Sequence, residues 1–150
     1  MRLRQVFAVP LVVYLIGCQR LSGHSIIGTW VGSITVAERK CDFESTYGAD
    51  GLFSYSTTLP IGKGKLIMVD RGTYKVKDDI LTTVYVDVDW TTEGLSPRMA
   101  KVSREEFLDG KSEMLESANE FEPRRLHWIS PDHFWFKIEG ERVDCLRKVE

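Results

Sequence analysis

Histidine and cysteine are scarce in this chain, three of each in 150 residues, and that scarcity removes most site chemistry at the outset. His24, His127 and His133 make no H-x-H, H-E-x-x-H or Cys-His spacing of the kind a metal centre needs. His127 and His133 flank one turn, where two solvated imidazoles are the plainer reading. There is no G-x-S-x-G elbow to present a nucleophile, no Walker glycine loop and no dinucleotide fingerprint. Asp87 and Asp89 put two carboxylates on one strand face, but they lack the bend glycine and following glutamate of a calcium loop. The expectation is therefore no catalytic residue, no metal and no cofactor: not an enzyme. Positive charge is short as well, with 20 Lys and Arg against 22 Asp and Glu, so no nucleic acid is expected as a partner. Internal repeats and low-complexity tracts are missing too.

Long apolar runs are absent but for one. Val6 to Gly17 is almost uninterrupted, yet at about a dozen residues it falls short of the ~20 that span a bilayer. With Arg2 and Arg4 ahead of it, the run has the form of a signal-peptide core. It ends in Leu15-Ile16-Gly17-Cys18, which resembles the lipobox of bacterial lipoproteins, with Ile16 where that pattern prefers Ala or Ser. The resemblance implies a signal peptide over residues 1–17, a palmitate-type lipid attachment at Cys18 and a lipidated tether over 18–25. An ordinary leader that happens to hold a cysteine is the alternative. Each buried methylene is worth about 0.8 kcal/mol, and two or more acyl chains hold a protein stably where one does not. The implied partner is a bacterial membrane, reached through the N-terminal lipid. In a double-membraned cell, Gln19 in place of Asp resembles the signal for the periplasmic side of the outer membrane. Removing the leader takes two arginines and no acids, leaving 133 residues at a net charge of −4. That is one ordinary domain, 26–150, with room for a core.

Within that domain the signal is strand after strand. Apolar and β-branched runs cover 26–36, 41–47, 52–59, 66–76, 80–90, 125–129, 133–138 and 142–147, separated by glycine, proline and acidic turns such as Lys77-Asp78-Asp79 and Glu139-Gly140-Glu141. In the fifth run, Val84, Val86, Val88 and Trp90 are expected on one face, with Tyr85, Asp87 and Asp89 on the other. Between them lies a different pattern. Ser103-x-x-Glu106 has capping-box spacing, and Phe107, Met114, Leu115, Ala118 and Phe121 fall near one helical stripe. That predicts a helical insert over about 103–121, whole or broken at Gly110.

The fold class expected is mainly β: an eight-stranded antiparallel up-and-down barrel with the helical insert before the last three strands. Closure is the one arrangement that leaves such a meander without edges; a β-sandwich of similar strand count is the competitor. Gly28-Thr29-Trp30 at the first strand resembles the G-x-W motif of lipocalins and related calycin barrels, and Arg147 at the last resembles their closing arginine. YGADGLFSY, GTYKV and the final hairpin are similar to those of small bacterial lipocalin-like lipoproteins. The resemblance implies barrel closure by Trp30 and Arg147, in a cation–π contact worth roughly 0.5 to 2 kcal/mol.

Cys41 and Cys145 are a possible disulfide in an oxidising compartment. With Arg147 beside Trp30 and a short first hairpin, Cys41 would face about Ala37 and Cys145 Gly32, a gap of roughly 16 Å against the ~7 Å a bridge spans. Strand shear brings the two together, or the thiols stay free and buried. Fourteen aromatic residues remain in the mature chain. Phe53, Tyr55, Tyr74, Phe134 and Phe136 are candidates for lining a small hydrophobic ligand, although the same rings serve a filled core, and the filled core is favoured. Two functions stay open: a membrane-anchored, extracytoplasmic lipocalin-like carrier of an apolar or amphipathic ligand, or a filled barrel acting as an interaction module of the cell envelope. The second predicts Met114, Leu115 and Phe121 exposed.

Overall fold

The computed structural model describes residues 24–36, 38–120 and 122–149. The expected leader, the lipid attachment at Cys18 and Phe121 lie outside the described residues. Short turns alternate with runs in which every second side chain is apolar, and each run becomes a strand. The alternation is cleanest in the second, where Cys41, Phe43, Ser45 and Tyr47 are buried while Asp42 and Thr46 face solvent. In chain order the elements are β1 (Gly28–Val36), β2 (Arg39–Tyr47), β3 (Leu52–Ile61), β4 (Gly64–Lys77), β5 (Ile80–Glu93), α1 (Pro97–Asn119), β6 (Arg124–Arg125), β7 (His127–Ser130), β8 (His133–Ile138) and β9 (Glu141–Arg147).

Among the described residues all nine strands belong to one antiparallel sheet in the order β6-β5-β4-β3-β2-β1-β9-β8-β7. Nine strands rather than eight arise because the expected strand 125–129 changes partner at Leu126. Arg124 and Arg125 pair with Leu81 and Ile80 on β5, whereas His127 and Trp128 pair with Trp135 and Phe134 on β8. Leu126 is buried, and its N–H donates to the Asp79 carbonyl at 2.7 Å. The two outer strands of the sheet are thus consecutive pieces of one segment, and the covalent chain bridges the gap that hydrogen bonds leave. The result is a nearly closed, barrel-like sheet. Two-residue turns keep its hairpins tight: Asp78 and Asp79 both have positive φ, as do Glu139 and Gly140, which matches the right-handed twist of the flanking strands.

The expected face assignment of β5 is corrected by a bulge. Tyr85 pairs with Gly72 and Asp87 with Arg71, so Val86 has no partner. Alternation restarts after it, which puts Val84 and Val86 outside, the latter 64% exposed, and Val88 inside at 2%. Asp87 and Asp89 do face solvent. Gly72 permits the kink opposite: a Cβ there would collide with the Val84 carbonyl oxygen and stand 2.9 Å from the Phe53 ring.

The helix starts earlier than expected, and not at Ser103. Ser96 accepts a hydrogen bond from the Met99 N–H at 3.4 Å, and Pro97 takes the first helical position, a stronger start signal than the Ser103-x-x-Glu106 box that now lies inside α1. Gly110 does not break it. It precedes the last strands, four rather than three now that the sixth has divided. β6 covers only Ile80 and Leu81, so the rest of the outer edge of β5 has no strand beside it. Helix α1 runs down that edge. Arg104 donates to the Trp90 carbonyl at 2.7 Å, Lys111 reaches Asp87 at 2.9 Å, and the Asn119 amide bonds both the N–H and the C=O of Tyr85 at 2.8 and 2.9 Å.

Candidate functional site

The barrel interior has two unlike halves, because most of the strands' inward aromatic residues cluster at one end. At the end where β1 begins, Trp30 is wholly buried and packs edge-on to Phe134 at 4.6 Å and to Trp128 at 5.9 Å. Tyr47 meets Tyr74 at 4.9 Å, and the Tyr74 hydroxyl donates to the Gly48 carbonyl at 2.7 Å. Arg147 closes this end from outside. Its guanidinium carbon lies 4.3 Å from the Trp30 ring centroid, and it donates to Asp132, the Ile27 carbonyl and the Ser25 carbonyl at 2.8 to 2.9 Å. Trp30 pairs with Arg147 across the β1–β9 seam. Rings with satisfied polar tips fill this half.

The other half is hollow. Inward positions toward the far ends of β3 and β4 carry Thr57, Leu59, Ile61, Leu66 and Met68, none of them long enough to meet across the barrel, and a cavity of about 1360 Å³ remains. Helix α1 forms one side. Phe107 is buried and stacks on Trp90 with centroids 5.5 Å apart, while Met114 and Leu115 turn into the space. A barrel of this strand number has room for one small ligand. A second hollow, about 460 Å³ and lined largely by charged groups such as Glu122, Arg125 and Lys137, lies beside the α1–β6 connection.

The polar groups of the large cavity are few and distinctive. Asp70 points into it from β4, directly across from Tyr55 on β3 and Val88 on β5. Burial pushes its carboxyl up to about 6 and is the one cause acting on it. The carboxyl makes no hydrogen bond or ion pair with another described residue. Trp90 is a diagonal neighbour on the same wall, since Met68 pairs with it two residues along from Asp70. Its buried indole N–H has no acceptor among the described residues. Deeper in, Arg124 extends over the Phe136 ring at 5.4 Å. Tyr47 and Tyr55 are raised above the usual phenol range, chiefly by burial, with Arg124 pulling the other way. Glu38 stands at the β1–β2 turn, Glu139 and Glu141 at the β8–β9 turn, and Glu106 and Glu113 on α1, so carboxylates ring the opening.

No family model matches the chain, and no curated protein matches it. What the cavity does has to be read from its own residues.

Of the five candidate lining residues, the structure brings Tyr55 and Phe136 to the cavity. Phe53, Tyr74 and Phe134 belong to the packed half instead. Cys41 and Cys145 are both buried and free. Cys41 pairs with Ile34 rather than facing about Ala37, because Val36 already pairs with Arg39 in a tight hairpin. The offset is smaller than expected, but β1 stands between the two thiols. Two strand spacings of ~4.8 Å and two residues of ~3.3 Å separate them by about 12 Å, still beyond bridging reach. Burial pushes the Cys145 thiol up to about 12. The histidines work separately: His127 stacks on Trp135 at 3.9 Å, His133 pairs with Asp144 at 2.7 Å, and His24 stacks on Trp128 at 5.0 Å.

Asp87 and Asp89 hold the helix. A hydrogen bond from Lys111 is the first cause that lowers Asp87, with Arg71 adding to it. For Asp89 the first cause is the Trp90 backbone N–H, followed by Arg104. Sequence reasoning passed over Asp70, Trp90 and Arg124 as site residues. A signal for Asp70 was present: it continues the parity of Leu66 and Met68, an acid where the alternation calls for an apolar residue.

Proposed function

We propose that the chain is a lipocalin-like carrier of a small apolar or amphipathic compound, tethered on the extracytoplasmic side of a bacterial membrane through a lipid on Cys18. The observation that carries the reading is the cavity of about 1360 Å³, mostly apolar and opening at one end of a nearly closed barrel. Ligand pockets of this kind are concave, largely preformed and lined by apolar groups with a few placed polar ones. The packed half supports it, since Trp30 and Arg147 hold the barrel shut at one end and leave the other free for a ligand. Among the described residues no helix is long and apolar enough to cross a membrane, and the leader supplies the proposed anchor.

The interaction-module reading needs Met114, Leu115 and Phe121 exposed. Met114 and Leu115 instead turn into the cavity, which fits a helix that serves as wall and lid. Native mass spectrometry of the purified protein after bacterial expression tests the carrier reading. A co-purified small molecule of lipid mass is expected, and a bare protein mass that stays bare after incubation with mixed lipids overturns it. Labelled palmitate should enter the wild-type chain and not Cys18→Ala.

A further inference from the structure

We infer that the cavity selects an organic cation with an apolar body, an amine or quaternary ammonium amphiphile, whose positive head lies against Asp70 beside the rings of Tyr55 and Trp90. The inference rests on the carrier reading and adds the charge of the cargo. Three observations point the same way. First, the lining carries six carboxylates, from Asp70 and five glutamates, against one guanidinium. A low-dielectric cleft edged by one sign of charge concentrates ligands of the other. Second, Asp70 is a carboxyl without a partner among the described residues, set on the sheet wall between Tyr55 and Val88, and a carboxylate withdrawn from water gains most from a cation. Third, its neighbours on the wall are aromatic. Tyr55 is its cross-strand neighbour, Trp90 lies diagonal to it, and Tyr85 lines the same space. An aromatic face next to a carboxylate is the environment that holds an ammonium group too bulky to donate several hydrogen bonds.

Arg124 does not reverse this preference. It sits toward the packed floor, over Phe136 and close enough to Tyr47 and Tyr55 to affect both, whereas Asp70 feels only its own burial. The apolar body of the ligand would occupy the space among Leu59, Leu66, Met68, Phe107 and Met114. The groups that line the cavity with Asp70 include Tyr55 from β3, Tyr85, Val88 and Trp90 from β5, Glu106 and Glu113 from α1, and Arg124 from β6. Of these, none but Arg124 is cationic, so the head of the ligand supplies the missing charge. Protonating Asp70 removes the attraction, and cation binding should weaken as pH falls through about 6.

The test uses three probes with one tail: decyltrimethylammonium, decanoate and decanol, titrated into the purified chain below their micelle concentrations and followed by calorimetry and tryptophan fluorescence. At neutral pH the cation is expected to bind about tenfold or more tighter than decanoate, the range of one charge-assisted contact. That preference should shrink below pH 6 in wild type and at every pH in Asp70→Asn, while decanol binding is unchanged. Asp70→Asn keeps shape and loses an unpaired charge, so it should fold, and the wild-type pH series stands without it. Decanoate binding as tightly as the cation, or a preference that survives in Asp70→Asn, overturns the inference and leaves the carrier reading intact. Failure of all three probes to bind overturns both.

Discussion

The two ends of this barrel are made from the same strands, yet one is solid and the other hollow. Along β2 and β3 the inward side chains run Tyr47, Ser45, Phe43, Cys41 and Phe53, Tyr55, Thr57, Leu59 from the solid end toward the open one. Along β3 two rings give way to a hydroxyl and an aliphatic side chain, and along β2 the last inward position is the small Cys41. Large flat side chains meet across a barrel and exclude space; smaller ones leave a void that the wall cannot collapse to fill, because sheet hydrogen bonds fix its radius. The solid end therefore supplies stability and the hollow end supplies the site. Helix α1 belongs to the hollow end alone, standing where β5 lacks a neighbouring strand.

Unequal costs of deletion give the sharpest test of that division. Trp30→Ala should destabilise by about 3–5 kcal/mol, read from denaturant midpoints, because the ring is wholly buried among Phe134 and Trp128. Met68→Ala, which faces the void, should cost about 1 kcal/mol or less, having fewer contacts to lose. Equal losses would mean that the hollow half is packed in solution.

A smaller effect, of opposite sign, is expected at Asp70. Its folded pKa, about 6, lies above the reference of 3.8, so the folded state holds the proton more tightly than the unfolded one. The stability this group contributes is complete below pH 3.8 and is lost as pH rises through about 6. Asp70→Asn should then stabilise the protein at neutral pH by about 1–2 kcal/mol, after discounting for partial solvent access, and flatten the stability profile across that window. An unchanged profile would place Asp70 in water rather than in the cavity wall. The least effect is expected at the helix seam. Asn119→Ala removes two hydrogen bonds to the edge of β5 and should cost roughly 1 kcal/mol in global stability. Hydrogen exchange at the Tyr85 amide should speed up while the Trp30 and Phe134 amides stay protected. If all three change together, helix and barrel form one cooperative unit and α1 is no separate lid.

Much of the architecture was legible because local chemistry sets it. Period-two alternation marked the β-rich runs, and Lys77-Asp78-Asp79 and Glu139-Gly140-Glu141 marked hairpins that the structure contains. Where the reading failed, a distant partner made the decision. Leu126 splits one expected strand in two because β5 claims the residues before it and β8 those after it. Val86 bulges because Gly72 lets the facing strand bend. The helix start is the exception: Ser96 and Pro97 are a local signal, and the reading considered only the capping-box spacing at Ser103. At the site, Tyr55 and Phe136 were named among the aromatics, but Phe53, Tyr74 and Phe134 have the same residue character and lie in the other half.

By itself the sequence determined the alternation of strands and turns, the helical segment before the last strands and the antiparallel meander, since each depends on side chains within a few residues of one another. The tertiary structure alone decided which rings meet, where the interior stays empty and that Asp70 faces it with no partner among the described residues. Those depend on the radius and stagger of the nearly closed sheet, which arise from the pairing of β1 with β9 and the bend at Leu126. No local window contains both sides of either contact.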